Sequence, residues 1–343
     1  MAAQAGDPKL WTTGGRSVVG ASHIRYGIPN QDAIAWSPRN DSGSAPSAVL
    51  ALADGHGASV HFRSAIGAHM AVEAAVRVLT EALGGPLPFP RGTANASAIF
   101  QAIVDDWRGQ VAAHVAANPF DREIPASRGY DAFTPYGTTL IAAAAGPGGI
   151  LLLQIGDGDL LLATSDGEIR RPLPDDVGLV GEQTYSLCQA DAVSLARTRW
   201  IAAADLSVDF IMLSTDGLAK SFADEDAFRN VATFWRRHIE REGLAAAIND
   251  LSLRLSEISR EGSGDDITLG FLVAEDLNSN VGAGGEEERD PAPIPPVSPR
   301  QPKTGAPPRN SRLFRAGGLT AMALLSAVAA AAIAAAAYVL LVS

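Results

Sequence analysis

Four short motifs set aspartate at the edge of an apolar run: Asp54-Gly55, Asp157-Gly158, Asp216-Gly217 and Asp265-Asp266. Taken singly, an Asp-Gly pair is an ordinary turn, because glycine accepts positive φ and the aspartate bonds to nearby backbone. Taken together, they suggest other chemistry. Asp54, Asp216 and Asp265 adjoin strongly apolar segments with few lysines or arginines beside them, where an unpaired carboxylate is costly. Oxygen donors of this kind suit hard divalent cations, Mg2+ or Mn2+, held by carboxylates and water. Zinc fits poorly, since there is one cysteine and no clear histidine cluster. His56, in Asp54-Gly55-His56-Gly57, is either a turn residue or an acid–base group. The lone Cys188 excludes an intrachain disulfide, and its setting lacks the glycine-rich anion loop that a catalytic thiolate needs. It reads as a buried structural residue.

The elements that must carry these aspartates are legible as alternating strand and helix signals. The run Val49-Leu50-Ala51-Leu52-Ala53 ends at Asp54, and Phe210-Ile211-Met212-Leu213-Ser214 leads to Asp216, as in buried strands. A last strand follows Asp265-Asp266 over 267–273. Apolar residues at helical spacing predict helices over 64–83, 96–117, 225–241 and 244–260. Strands at 138–145 and 150–155 flank the turn Gly146-Pro147-Gly148-Gly149, and those at 160–163 and 168–170 flank Ser165-Asp166-Gly167. Hairpins outnumber strand–helix alternation. The expectation is an α+β fold of antiparallel sheets with helices packed outside.

The chain has 343 residues and a formal net charge of -11, which argues against sequence-independent nucleic-acid binding. The opening MAAQAGDPKLW carries no secretory pattern. Residues 277–312 are rich in Pro, Gly and charge and read as a disordered tether. Residues 316–343 contain no charged side chain, and 316–342 exceed the roughly 20 helical residues that cross a bilayer core. Arg300, Lys303, Arg309, Arg312 and Arg315 precede that stretch. The positive-inside rule then predicts a single-pass C-terminal anchor touching lipid, with the N-terminal domain cytoplasmic.

Six blocks occur in a telling order: Asn30-Gln31-Asp32-Ala33, Ala53-Asp54-Gly55-His56-Gly57, Tyr136-Gly137-Thr138-Thr139-Leu140, Ile155-Gly156-Asp157-Gly158, Leu213-Ser214-Thr215-Asp216-Gly217-Leu218 and Gly264-Asp265-Asp266-Ile267-Thr268-Leu269. With them, residues 8–276 resemble the type 2C metal-dependent protein serine/threonine phosphatases (the PPM family) in their bacterial form. The resemblance implies two face-to-face antiparallel sheets flanked by helix pairs, an α-β-β-α sandwich with two Mn2+ or Mg2+ ions at one end. It implies that Asp54 bridges the ions, that the Gly55 carbonyl ligates one, and that Asp216 and Asp265 complete the other. Asp32 would hold water in the second shell, and Asp157 would belong to a weaker third site. His56 would be the general acid, making His56 and Asp54 the catalytic pair. The implied reaction is hydrolysis of phosphoserine or phosphothreonine on proteins, substrates of a bacterial kinase, by hydroxide bridging the metals.

The sequence departs from the family pattern at several positions. Gln31 stands where many relatives carry Glu. Gly27 occupies the place of a phosphate-binding Arg, which leaves Arg25 and His23 as candidates for that contact. Lys220 stands where some relatives have a third-site Asp, and Asp266 replaces a frequent Asn. The missing Arg motivates one alternative, a non-catalytic, membrane-tethered phosphoprotein-binding relative.

Overall fold

The computed structural model describes residues 9–39, 44–84, 93–121, 131–174, 176, 184–205, 207–278 and 296–298. All of them lie in one compact unit, Met1–Arg300. The chain runs through β1 (Trp11–Val18), α1 (Ala21–Tyr26), β2 (Asp32–Ser37), β3 (Ala48–Asp54), α2 (Ser64–Gly84) and α3 (Thr93–Ala117). A short 3-10 turn (Thr134–Tyr136) precedes β4 (Leu140–Gly146), β5 (Gly149–Ile155), β6 (Asp159–Thr164) and β7 (Ile169–Arg170). Then come α4 (Ala192–Leu195), β8 (Arg197–Ala202), β9 (Val208–Ser214), α5 (Asp216–Ala219), α6 (Glu225–Glu261), β10 (Ile267–Ala274) and α7 (Glu275–Asn278).

Ten strands form two five-stranded sheets, ordered β1-β10-β9-β6-β7 and β2-β3-β4-β5-β8. Every pairing is antiparallel. The central strands are buried on both faces, which explains why they read as unbroken apolar runs rather than alternations. In β3, Val49, Ala51 and Ala53 join a core with α2 and α3, while Ala48, Leu50 and Leu52 join the core between the sheets. In β9, Phe210 and Met212 pack with α6, and Ile211 and Leu213 face the other sheet. The layers are therefore helix, sheet, sheet, helix.

The two helices expected at 225–241 and 244–260 are the two halves of α6, which breaks at Gly243, where φ is 82° and ψ is 160°. Asp224 caps the first half by accepting from Ala227 N at 2.8 Å. Asn278 Oδ1 accepts from Leu244 N at 2.8 Å where the second begins. Among the described residues no helix is long and apolar enough to cross a membrane. The expected span 316–342 and most of the tether lie outside those residues. Within the tether, Pro296–Ser298 lies against the domain: Val297 packs on the α6 core, and Ser298 N donates to Ser221 O at 3.0 Å.

Candidate active site

Five strand ends meet at one rim of the sandwich. The register sets Asp32, opening β2, directly opposite Asp54, closing β3. Ser214, closing β9, pairs with Leu269 of β10 and with Asp159 of β6. Asp216, Asp265 and Asp157 therefore leave neighbouring strands at the same end. Asp54, Asp157, Asp216 and Asp265 line one cavity of about 780 Å³, together with Gly55, His56 and His23. Asp32 is not on its wall; it is buried beside Asp54. Arg25 is on the exposed part of α1 and does not line the cavity.

Close backbone approaches hold the turns. A Cβ on Gly217 would stand 2.1 Å from the Asp266 carbonyl oxygen, so the Asp216 turn can rest on the Asp265-Asp266 turn only with glycine there. The hydroxyls of Ser221 and Ser263 both donate to Gly217 O, at 2.8 and 2.9 Å, and Ser263 Oγ accepts from Asp265 N at 3.2 Å. Across the rim, Thr139 N donates to Asp54 O at 2.9 Å, and Thr139 Oγ1 accepts from Asp54 N at 3.0 Å. Asp266 clamps the opening block. Its carboxylate accepts from Gly20 N at 2.6 Å and Gln31 N at 2.7 Å, and lies 2.9 Å from His23 Nδ1. The Gln31 amide itself donates to Ser64 Oγ at 2.9 Å.

The electrostatics are those of anions lacking counter-charge. Burial holds the Asp32 carboxyl well above the usual range, although Thr268 Oγ1 and Thr215 Oγ1 donate to it at 2.7 and 2.8 Å. Burial raises Asp54 likewise, with repulsion from Asp32, Asp216, Asp265 and Asp157 adding to it. Asp216 is raised to about 7 by burial and then by Asp157, against the pull of Lys220. Lys220 Nζ lies 2.5 Å from Asp216 Oδ2. Burial works against the Lys220 ammonium, but Asp216, Asp265 and Asp157 outweigh it and its pKa rises. Burial and the nearby His61 push His56 down to about 4, with Asp157 acting the other way. The two imidazole centroids are 4.9 Å apart, and His61 Nδ1 lies 2.5 Å from Thr134 O. Because a carbonyl only accepts, His61 Nδ1 carries the proton.

This donor set fits small, hard cations. Buried carboxylates that repel one another across shared space are stabilised by divalent charge, and all-oxygen ligation suits Mg2+ or Mn2+. Among the described residues no group of three His, Cys, Asp or Glu side chains forms a ready cage. The carboxylates instead surround a common volume, as suits ions that keep several waters. Cys188 is half-buried on the cavity wall rather than fully buried, and desolvation raises its thiol. That is the opposite of a nucleophile's tuning.

Sequence reasoning missed four parts of this site. They are the Thr215 and Thr268 donors to Asp32, the Asp266 clamp, His61 in the wall and the Lys220–Asp216 pair. Only the last had a local signal, a lysine four residues beyond an aspartate at helical spacing.

A protein phosphatase 2C family model matches residues 19–252. No curated protein matches the chain. Among solved structures, the catalytic domain of the serine/threonine phosphatase PstP, in complex with two manganese ions, is 21% identical; the match covers 78% of this chain and 99% of that one, at a TM-score of 0.47. Stp1 from Staphylococcus aureus, a serine/threonine phosphatase, is 15% identical, covering 76% and 94% at 0.48. A C. elegans sex-determining protein is 14% identical, covering 78% and 67% at 0.50, and shares the fold.

Proposed function

Since the chain belongs to the protein phosphatase 2C family, whose members are serine/threonine phosphatases, we propose that it hydrolyses phosphoserine and phosphothreonine on proteins with two Mn2+ or Mg2+ ions. The observation that carries this reading is the shared rim where Asp54, Asp216 and Asp265 face one cavity with little neutralising charge. Asp54 would lie between the two ions, with the Gly55 carbonyl on one and Asp216 and Asp265 on the other. Asp157 would serve a weaker third position. Bound there, divalent ions supply Lewis acidity, which makes water a nucleophile near neutral pH and offsets charge on the phosphoryl oxygens.

The chain's own groups do the rest. Asp32, whose Oδ2 accepts from two threonine hydroxyls, would use its other oxygen to orient water toward phosphorus. The serine or threonine oxygen leaves as an alkoxide and needs a proton. His56 lines the same cavity and would give it. Its affinity for that proton, lowered by burial and by His61, would rise beside an incoming phosphate dianion, because opposite charge favours the imidazolium. Of the two candidates for the phosphate contact, His23 lines the cavity with its Nδ1 held against Asp266, and Arg25 does not line it.

The same proposal places the domain at the cytoplasmic face of a membrane, acting on substrates of a bacterial protein kinase. It draws on the charge-free residues 316–343 and the arginines before them. Mn2+-dependent release of p-nitrophenol from its phosphate tests the activity. We expect turnover in the wild type and a loss of at least about a hundredfold in Asp54→Asn and Asp216→Asn, a magnitude typical of removing one electrostatic stabiliser. Near-normal rates in both variants defeat the site assignment.

A further inference from the structure

Among the described residues Lys220 is the sole lysine or arginine lining the aspartate-rich cavity. Its ammonium touches Asp216, at 2.5 Å, and its side chain is 52% exposed. The backbone N–H of Lys220 donates to Asp216 O at 2.9 Å, which fixes the Cα whichever way the side chain turns. A lysine on this footing is a point charge on a flexible stem with three rotatable donors.

Two demands then collide at Asp216. A divalent ion ligated by this carboxylate would meet an ammonium already in contact with it, and like charges at that range repel. A phosphomonoester dianion entering a wall of carboxylates needs a cationic donor. His23 is engaged with Asp266 and His61 with Thr134. Lys220 is the group that can answer both demands by moving.

We propose that Lys220 is an exchangeable cation and substrate-binding residue. It pairs with Asp216 while no metal is bound, and turns to the phosphoryl oxygens once a divalent ion takes that carboxylate. This rests on the two-ion reading of the site. It also supplies the phosphate contact that Gly27 cannot make.

The test uses the purified full chain and Lys220→Met, which keeps the stem and removes the charge. Two equilibrium measurements are made: Mn2+ affinity by calorimetry, and inorganic phosphate affinity of the Mn2+-loaded protein. The effects should have opposite signs. Without the competing charge, Mn2+ should bind roughly three- to tenfold more tightly. Phosphate, and a phosphoserine peptide through its KM, should bind about tenfold more weakly. Lys220→Arg should restore most of the phosphate affinity. Weakening of both ligands would make Lys220 a structural prop and overturn the proposal. So would unchanged phosphate binding, whatever happens to Mn2+. If the wild type takes up no Mn2+, the two-ion reading falls as well; if it does and Lys220→Met behaves like it, only this inference falls.

Discussion

Asp32 and Asp54 face each other across β2 and β3, and like charges directly opposite on neighbouring strands are destabilising. A fold that keeps such a pair buried stores instability that a bound cation relieves. The raised Asp54 pKa makes this measurable. Between the ordinary carboxylate range and the raised folded value, the folded chain holds a proton that the unfolded chain has lost. Stability contributed by protonated Asp54 is thus present at low pH and lost as pH rises. Asp54→Asn should therefore stabilise the metal-free protein, by about 1–3 kcal/mol at pH 7.5 and by less at pH 5. Thermal melts in chelator check this, and a lower Tm for the variant at pH 7.5 contradicts it. With Mn2+ added the order should reverse, because only the wild type binds the ions tightly. The aspartates were legible in the sequence because each sits at the edge of an apolar run. The hydrogen bonds that Thr215, Thr268 and Asp266 make were not, because their partners lie across the fold and leave no local pattern.

At the scale of elements, legibility followed position in the sheets. The central strands β3, β4, β5, β6, β9 and β10 appear as apolar runs, since both of their faces are buried. The edge strands β1, β2 and β8 went unread. Their exposure is mixed, and residues such as Thr12, Thr13 and Arg16 break any apolar run. Strand β7, also an edge, was caught only through its turn. There Asp166 accepts from Thr164 Oγ1 and Glu168 N, and Gly167 sits at φ 79°. Helix periodicity located α2 but could not show why Gly67 lies inside it. A Cβ at Gly67 would stand 2.0 Å from the Tyr136 carbonyl oxygen, and Trp107 Nε1 donates to Gly67 O at 3.0 Å. Helix propensity alone favours Gly67→Ala by about 1 kcal/mol. The packing predicts the reverse, a loss of about 1–3 kcal/mol as α2 is pushed off the turn that carries Gly137 and Thr138. Urea unfolding decides the sign, and a stabilised variant would show that the helix can shift freely.

At the scale of the whole molecule, a net charge of -11 accompanies a cavity that must admit a phosphate dianion. Long-range attraction cannot bring substrate in, so recognition has to come from local cations, the ions and Lys220. The proposed anchor would add proximity to membrane-borne substrates, which raises effective concentration without new contacts. Deleting residues 313–343 should move the protein from the membrane pellet to the supernatant while leaving kcat on a phosphopeptide within about twofold, because the site lies wholly in another part of the chain. A truncated protein that still pellets removes the anchor from the account. The composition of residues 277–312 suggested a tether with no packing role, yet Val297 rests on the α6 core. Composition averages over a segment and cannot register one apolar residue that finds a groove.

The central claim is that distant carboxylates converge to hold two catalytic ions. Its most direct test is to strip the purified chain of metal and titrate it with Mn2+, following phosphate release from a phosphoserine peptide together with bound metal. Activity should be absent at zero Mn2+ and saturate as two ions per chain are taken up, with uptake sharply weakened in Asp54→Asn. Full turnover in the metal-stripped protein, or uptake that Asp54→Asn leaves untouched, would contradict it.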